Sequence, residues 1–278
     1  MTTMRRLVPA ILGVVLLAST LTSCEWPEGT RYVDQVFAEV EVTRGITYRS
    51  TTTYTGQPID LKLDVYEPVG DVASERPVIM WMFGGYWQGG DRNQLAAYAE
   101  DSARRGYVAV TIDYRLRSGD SFDLLAAAND AYEDTIAAIE WLQAHAGDYG
   151  LDADAIVPAG YSAGAINALH ALHTPVDTPA AGAVAIAGMN FSPLRDGRGG
   201  TISISGTADT LVPHAISRDQ CAQSEALGNL CRFIPIEDGT HLIGFTHAAQ
   251  IMEVTADFVF EGILYPLGYR PEQLAPAA

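Results

Sequence analysis

The stretch Gly160-Tyr161-Ser162-Ala163-Gly164 carries the clearest chemical signal in the chain. A serine flanked at two positions on each side by glycine suits a tight turn from strand to helix, with the hydroxyl held outward in a strained conformation. The glycines remove side chains where such a turn crowds its neighbours. The N–H of Ala163, at the start of the helix, can then face a substrate oxygen, aided by the positive end of the helix. A hydroxyl is a poor nucleophile at neutral pH, so this chemistry needs a base and a group that orients the base.

Two loops supply both. Gly206-Thr207-Ala208-Asp209 follows an apolar run, and Asp238-Gly239-Thr240-His241 follows the last one. This gives the chain order serine, acid, histidine, with Ser162 as nucleophile, His241 as general base and then acid, and Asp209 orienting the imidazole. The other histidines compete weakly. His145 sits near a helix end, His170 and His173 on or just past a helix, and His247 inside the closing helix, while His214 is the nearest rival. Asp238, the alternative acid, is too close along the chain to His241 for comfortable support. A second segment, Met82-Phe83-Gly84-Gly85-Tyr86-Trp87, places glycines just after a buried strand, where backbone donors can approach a developing oxyanion. The expected donors are the N–H groups of Gly85, Tyr86 and Ala163.

The elements that must position these residues are legible as an alternation. Val40 to Tyr48 and Ile59 to Tyr66 alternate in the manner of half-buried strands. Val78 to Phe83 and Tyr107 to Asp113 are continuous apolar runs suited to strands covered on both faces. Helices are expected over Asn93 to Arg104, Phe122 to Ala146, Ser162 to about Leu172, Pro213 to Leu227 and Ile243 to Phe260. Between them lie strands at Ala155 to Ala159, Ala183 to Ala187, Ile202 to Ser205 and Cys231 to Ile236. Such a sequence of elements predicts an α/β three-layer sandwich with a mostly parallel sheet of about eight strands and an antiparallel leading edge. Only about 14 residues, Gly188 to Thr201, join two of the late strands, which leaves little or no room for a cap.

At this point the chain resembles the α/β-hydrolases, in particular the esterase branch related to hormone-sensitive lipase, arylformamidases and bacterial feruloyl or acetyl esterases. The resemblance spans residues 40 to 262. It rests on Gly84-Gly85-Tyr86-Trp87, Asp113-Tyr114-Arg115-Leu116, Gly160 to Gly164, and the Asp209 and His241 loops. It implies a serine ester hydrolase without cofactor or metal, with Asp113 to Leu116 stabilising the region near the oxyanion loop. Arg115 is expected in a structural ion pair. In that family the oxyanion segment usually begins with histidine. Phe83 stands there instead, removing a polar brace and leaving packing to hold the loop. Trp87, Tyr161, Met189 and Phe191 are candidates to line an acyl or aromatic pocket. Arylformamidase or other amide hydrolysis, and a non-catalytic surface binding protein on the same scaffold, are the alternative readings.

Composition narrows the partners. Asp and Glu number 34 against 17 Lys and Arg, a net charge of -17, with no basic cluster, so nucleic acid is excluded and neutral short-chain or aromatic esters are favoured. No site for nicotinamide, flavin, phosphate or metal is apparent. His170 and His173 lack a third ligand. Arg5 and Arg6 before the apolar run Leu7 to Ala18, and then Leu21-Thr22-Ser23-Cys24, resemble a bacterial lipoprotein signal. The expected organisation is therefore a signal over 1–23, a lipidated Cys24 opening a tether over 24–39, and one domain over 40–278 with a loose tail from Tyr265. That places the protein on the outside of the cytoplasmic membrane or on the outer membrane, or else in the periplasm or medium. In such an oxidising compartment Cys221 and Cys231, ten positions apart, are expected to form a disulfide between a helix and the following strand. The sequence does not specify an oligomeric state.

Overall fold

Continuous apolar runs become the interior strands. The structure, a computed structural model, describes residues 26–119, 122–175 and 180–272, so Cys24 and the expected signal over 1–23 lie outside the described residues. The strands are β1 (Val40–Thr52), β2 (Pro58–Pro68), β3 (Arg76–Met82), β4 (Val108–Ile112), β5 (Leu151–Tyr161), β6 (Gly182–Ile186), β7 (Gly200–Gly206) and β8 (Cys231–Ile236). Every residue of β3, β4, β6 and β7 is buried, as strands covered on both faces require. The strands form one sheet in the order β1-β2-β4-β3-β5-β6-β7-β8. β2 runs antiparallel to both β1 and β4, and the remaining pairings are parallel. The expected sheet, with its antiparallel leading edge, is the one found.

Among the described residues, seven α-helices cover it: α1 (Ala96–Arg104), α2 (Leu124–Ala144), α3 (Ala146–Tyr149), α4 (Ala163–His173), α5 (His214–Ala226), α6 (Ile243–Thr246) and α7 (Ala248–Phe258). The alternation of β3 separates the layers. Val78, Met80 and Met82 share an apolar cluster with residues of α2 and α4, while Ile79 and Trp81 share another with residues of α1 and α7. α5 lies beside α4, with Leu169, His173, Ser217 and Cys221 around one small buried cavity. Residues 187–199 join β6 to β7 without a helix, so the sandwich has no cap. Cys221 and Cys231 are bonded, tying α5 to the start of β8.

Some local expectations need correction. The closing helix is broken at His247. Thr246 bonds locally, to Leu242 O and to the His247 ring, and this competes with helical hydrogen bonding. Past Phe258 the helix widens into a π-turn over Val259–Leu264. The segment expected as a tether is, from Trp26 onward, docked on the domain. The Trp26 ring packs edge-on to Phe260, Tyr32 packs on Tyr107 and Phe260, and Arg31 pairs with the buried carboxylate of Asp71. The tail is anchored as well, as far as Glu272. Tyr269 donates to Asp152 Oδ2 at 2.7 Å, and Arg31 N–H donates to Glu272 O at 2.9 Å. Aromatic burial decides both cases, because a polar-looking segment with well-spaced aromatics can still bury enough apolar area to be held.

Candidate active site

The turn from β5 into α4 forces Ser162 into a left-handed conformation, φ 54° and ψ -118°. Its N–H donates to Ile186 O on the neighbouring strand at 2.8 Å, which fixes the turn against the sheet. Gly164 is required here by close approach, since a Cβ on it would lie 2.0 Å from Met82 O. Ser162 therefore stands at the C-terminal edge of the sheet, ahead of the first turn of α4.

Asp209 and His241 reach the same edge from the loops after β7 and β8. His241 Nε2 lies 2.9 Å from Ser162 Oγ, and His241 Nδ1 lies 2.8 Å from Asp209 Oδ2. Asp209 accepts at Nδ1, so the imidazole carries its proton there and presents Nε2 as acceptor to the serine hydroxyl. The other carboxylate oxygen, Asp209 Oδ1, accepts from the N–H groups of Leu211 and Val212 at 2.8 and 2.9 Å. These bonds leave the acid no rotational freedom, and its side chain is fully buried. Tyr161 donates to His241 O at 3.0 Å. Burial and the nearby Asp209 charge push its phenol up to about 12, so it remains a donor at neutral pH.

The remaining titratable rivals are placed elsewhere. Asp238 directs its N–H to Thr207 Oγ1, and His214 begins α5. His170 stacks on Tyr132 and bonds Ser192 Oγ at 2.6 Å, while His173 accepts from Arg195 N–H. No group of metal-binding side chains occurs among the described residues.

The loop after β3 closes the other side. Gly85, Tyr86 and Trp87 have successive positive φ values of 137°, 58° and 56°. A Cβ at Gly85 would fall 2.0 Å from Gly89 O, so only glycine fits there. Gly84 N–H donates to Gln94 Oε1 at 2.8 Å, and Tyr114 donates to Phe83 O at 2.7 Å. Phe83 is itself buried and stacked on Tyr114. Arg115 sits in an ion-pair network with Asp130, Glu133 and Asp134, away from the cleft. Among the described residues, no hydrogen bond takes up the N–H of Gly85, Tyr86 or Ala163. These three residues line one cleft of about 550 Å³ together with Ser162 and His241.

Trp87, Tyr161, Met189 and Phe191 line the same cleft. So do Ile166, Leu211, Val212, Leu242 and Phe245, which sequence reasoning did not single out. The available signal was adjacency: Leu211 and Leu242 follow Asp209 and His241 at once or nearly so, and apolar residues in such loops face either the core or a ligand. Leu211, Leu242 and Phe245 remain largely exposed at the mouth.

Comparison with known proteins agrees with this arrangement. A family model described as BD-FAE matches residues 63–180. Human carboxylesterase 5A is 32 % identical over 125 residues, covering 42 % of this chain and 21 % of that protein. Human carboxylesterase 3 is 35 % identical over 113 residues, covering 37 % and 19 %. The chain thus spans about a fifth of the length of the curated relatives it matches. Among solved structures, Thermogutta terrifontis esterase 2 phosphonylated by cyclosarin superposes with a TM-score of 0.69 at 26 % identity, covering 81 % of this chain and 95 % of that one. Its butyrate-bound form gives 0.68 at 25 %, covering 88 % and 98 %.

Proposed function

We propose that this chain, an α/β-hydrolase related to the esterases of that superfamily, hydrolyses neutral carboxylic esters through an acyl-enzyme on Ser162. The observation that carries the reading is the continuous hydrogen-bonded path from Ser162 Oγ through His241 to buried Asp209, opening on an apolar cleft. In the reaction, Ser162 Oγ attacks the ester carbonyl carbon while His241 Nε2 takes its proton. The carbonyl oxygen becomes an anion held by the N–H groups of Gly85, Tyr86 and Ala163. Loss of one such donor typically costs roughly 3 kcal/mol of transition-state stabilisation. His241 then protonates the departing alkoxide, leaving the acyl group on Ser162. Water attacks that ester with His241 again as base, releasing the carboxylic acid and restoring the serine.

The substrate class follows from lining and charge. Trp87, Met189, Phe191, Leu211 and Leu242 offer apolar surface, and among the described residues no Lys or Arg lines the cleft. A net charge of -17 opposes anionic substrates at low salt. Short-chain and aromatic esters fit both conditions. The Thermogutta esterase, known in butyrate- and propionate-bound forms, is consistent with a short acyl group. The test is covalent labelling with a fluorophosphonate together with hydrolysis of a panel varying acyl length, aromatic acid and ester against amide. Labelling lost in Ser162→Ala and a preference for neutral esters are expected. Absence of labelling on folded wild type, or a preference for formamides, overturns the reading.

For location, we propose a lipid anchor on Cys24. Arg5 and Arg6, the apolar run to Ala18 and Leu21-Thr22-Ser23-Cys24 support it. Mass spectrometry of the membrane fraction is expected to find Cys24 as a lipid-modified N-terminus, and an unmodified mature chain lacking Cys24 would dispose of it.

A further inference from the structure

We infer that Asn167 is a positioning residue for the oxyanion donors, acting through the indole of Trp87. This rests on the esterase reading above. The proposed donors come from two separate elements, Gly85 and Tyr86 from the loop after β3 and Ala163 from the first turn of α4. Their mutual placement decides how well they hold a developing anion, so a bond between the two elements acts directly on the transition state.

Such a bond exists. Trp87 Nε1 donates to Asn167 Oδ1 at 3.0 Å, with both side chains buried. Asn167 lies one turn along α4 from Ala163, on the same side of the helix. Trp87 directly follows Tyr86 and ends the run of three positive φ values. Backbone of this kind persists only where its surroundings over-determine it. The loop's other ties run to residues outside α4: Gly84 N–H to Gln94, Phe83 O to the Tyr114 hydroxyl, and Trp87 O to Arg117 N–H. Among the described residues, the Trp87–Asn167 bond is the hydrogen bond from this loop that reaches α4, the helix that follows Ser162 and begins at Ala163.

A second observation shows that only the acceptor half of this amide is used. Asn167 Nδ2 is buried without a hydrogen-bond partner among the described residues. An unpaired buried N–H is destabilising, and an apolar side chain of the same size would not carry it. The amide contributes one acceptor, and that acceptor faces the oxyanion loop.

The test is a cycle of Asn167→Leu, Trp87→Phe and the two together, reading kcat, KM and melting temperature with a neutral p-nitrophenyl ester. Asn167→Leu should lower kcat by between about tenfold and a hundredfold, with KM little changed. It should also melt earlier, because the indole N–H is left unpaired. In the pair no polar group is orphaned, so the melting temperature should return to that of wild type or exceed it, while kcat stays at the level of the single variants. If Asn167→Leu does not fold, the paired variant carries the comparison. Recovery of kcat along with stability, an unchanged kcat in Asn167→Leu, or losses that multiply in the pair would overturn the inference. Wild-type protein inert to both ester and fluorophosphonate would instead overturn the esterase reading on which it rests.

Discussion

Phe83 lies flat on Tyr114, with ring centroids 4.1 Å apart and planes 8° from parallel, and Tyr114 donates from its hydroxyl to Phe83 O at 2.7 Å. A stacked pair and a tyrosine hydroxyl thus hold the loop at the position where the family resemblance leads one to expect a histidine. Phe83→Ala should cost about 3–5 kcal/mol of stability, measured by denaturant unfolding, because the site is fully enclosed. Tyr114→Phe should cost about 1 kcal/mol and lower kcat with little change in KM, since it frees the carbonyl at the base of the oxyanion loop.

Asp209 divides its oxygens between two tasks, one toward His241 and one toward the Leu211 and Val212 amides. An asparagine has one acceptor for both. Asp209→Asn should therefore either turn its NH₂ toward His241 and impose the wrong tautomer or lose the loop. We expect kcat to fall by about 10⁴-fold while fluorophosphonate labelling slows to a similar degree. Retention of more than a tenth of wild-type activity would count against Asp209 as the orienting acid.

His173 supplies a pH dependence of stability. Burial, reinforced by Arg198 and Arg195, lowers its pKa to about 4, and His170, half-buried and stacked on Tyr132, is lowered by burial to about 4 as well. An unfolded histidine titrates near ~6.5, so between pH ~6.5 and ~4 the unfolded chain binds protons that the folded chain refuses. Stability should be unaffected by these residues above pH ~7 and should fall as pH drops through that window, by at most about 1.4 kcal/mol per pH unit for each. Urea midpoints at pH 7 and pH 5 check this, and His173→Gln should reduce the difference between them.

The disulfide closes a short loop, Cys221 and Cys231 being ten positions apart. By the chain-entropy model its loss should cost about 3 kcal/mol. Guanidinium unfolding of the Cys221→Ser, Cys231→Ser protein measures that cost, and wild type kept in reductant should shift by a similar amount. Equal midpoints with and without reductant would show that the bond adds nothing to stability.

What the amino-acid sequence determined is what short-range physics encodes. Apolar periodicity marked the strands and helices, and the Gly-x-Ser-x-Gly turn marked the strand-to-helix elbow. The chain order of Ser162, Asp209 and His241 followed from which loops end apolar runs. Only the tertiary structure decided which groups meet. Ser162 and His241 are 79 positions apart and His241 and Asp209 are 32 apart, and their distances depend on the register of five parallel strand pairings. Support of the Phe83 loop from Asp113 to Leu116 was expected from the family resemblance, and Tyr114 supplies it. The Gln94 tie, the Asn167 acceptor and the rim of Leu211, Leu242 and Phe245 were not legible, nor was the docking of Trp26 and Tyr269. Each depends on how a helix is rotated or where a loop lands, and no local period carries that information, because it is set by the packing of side chains from distant segments into one close-packed interior.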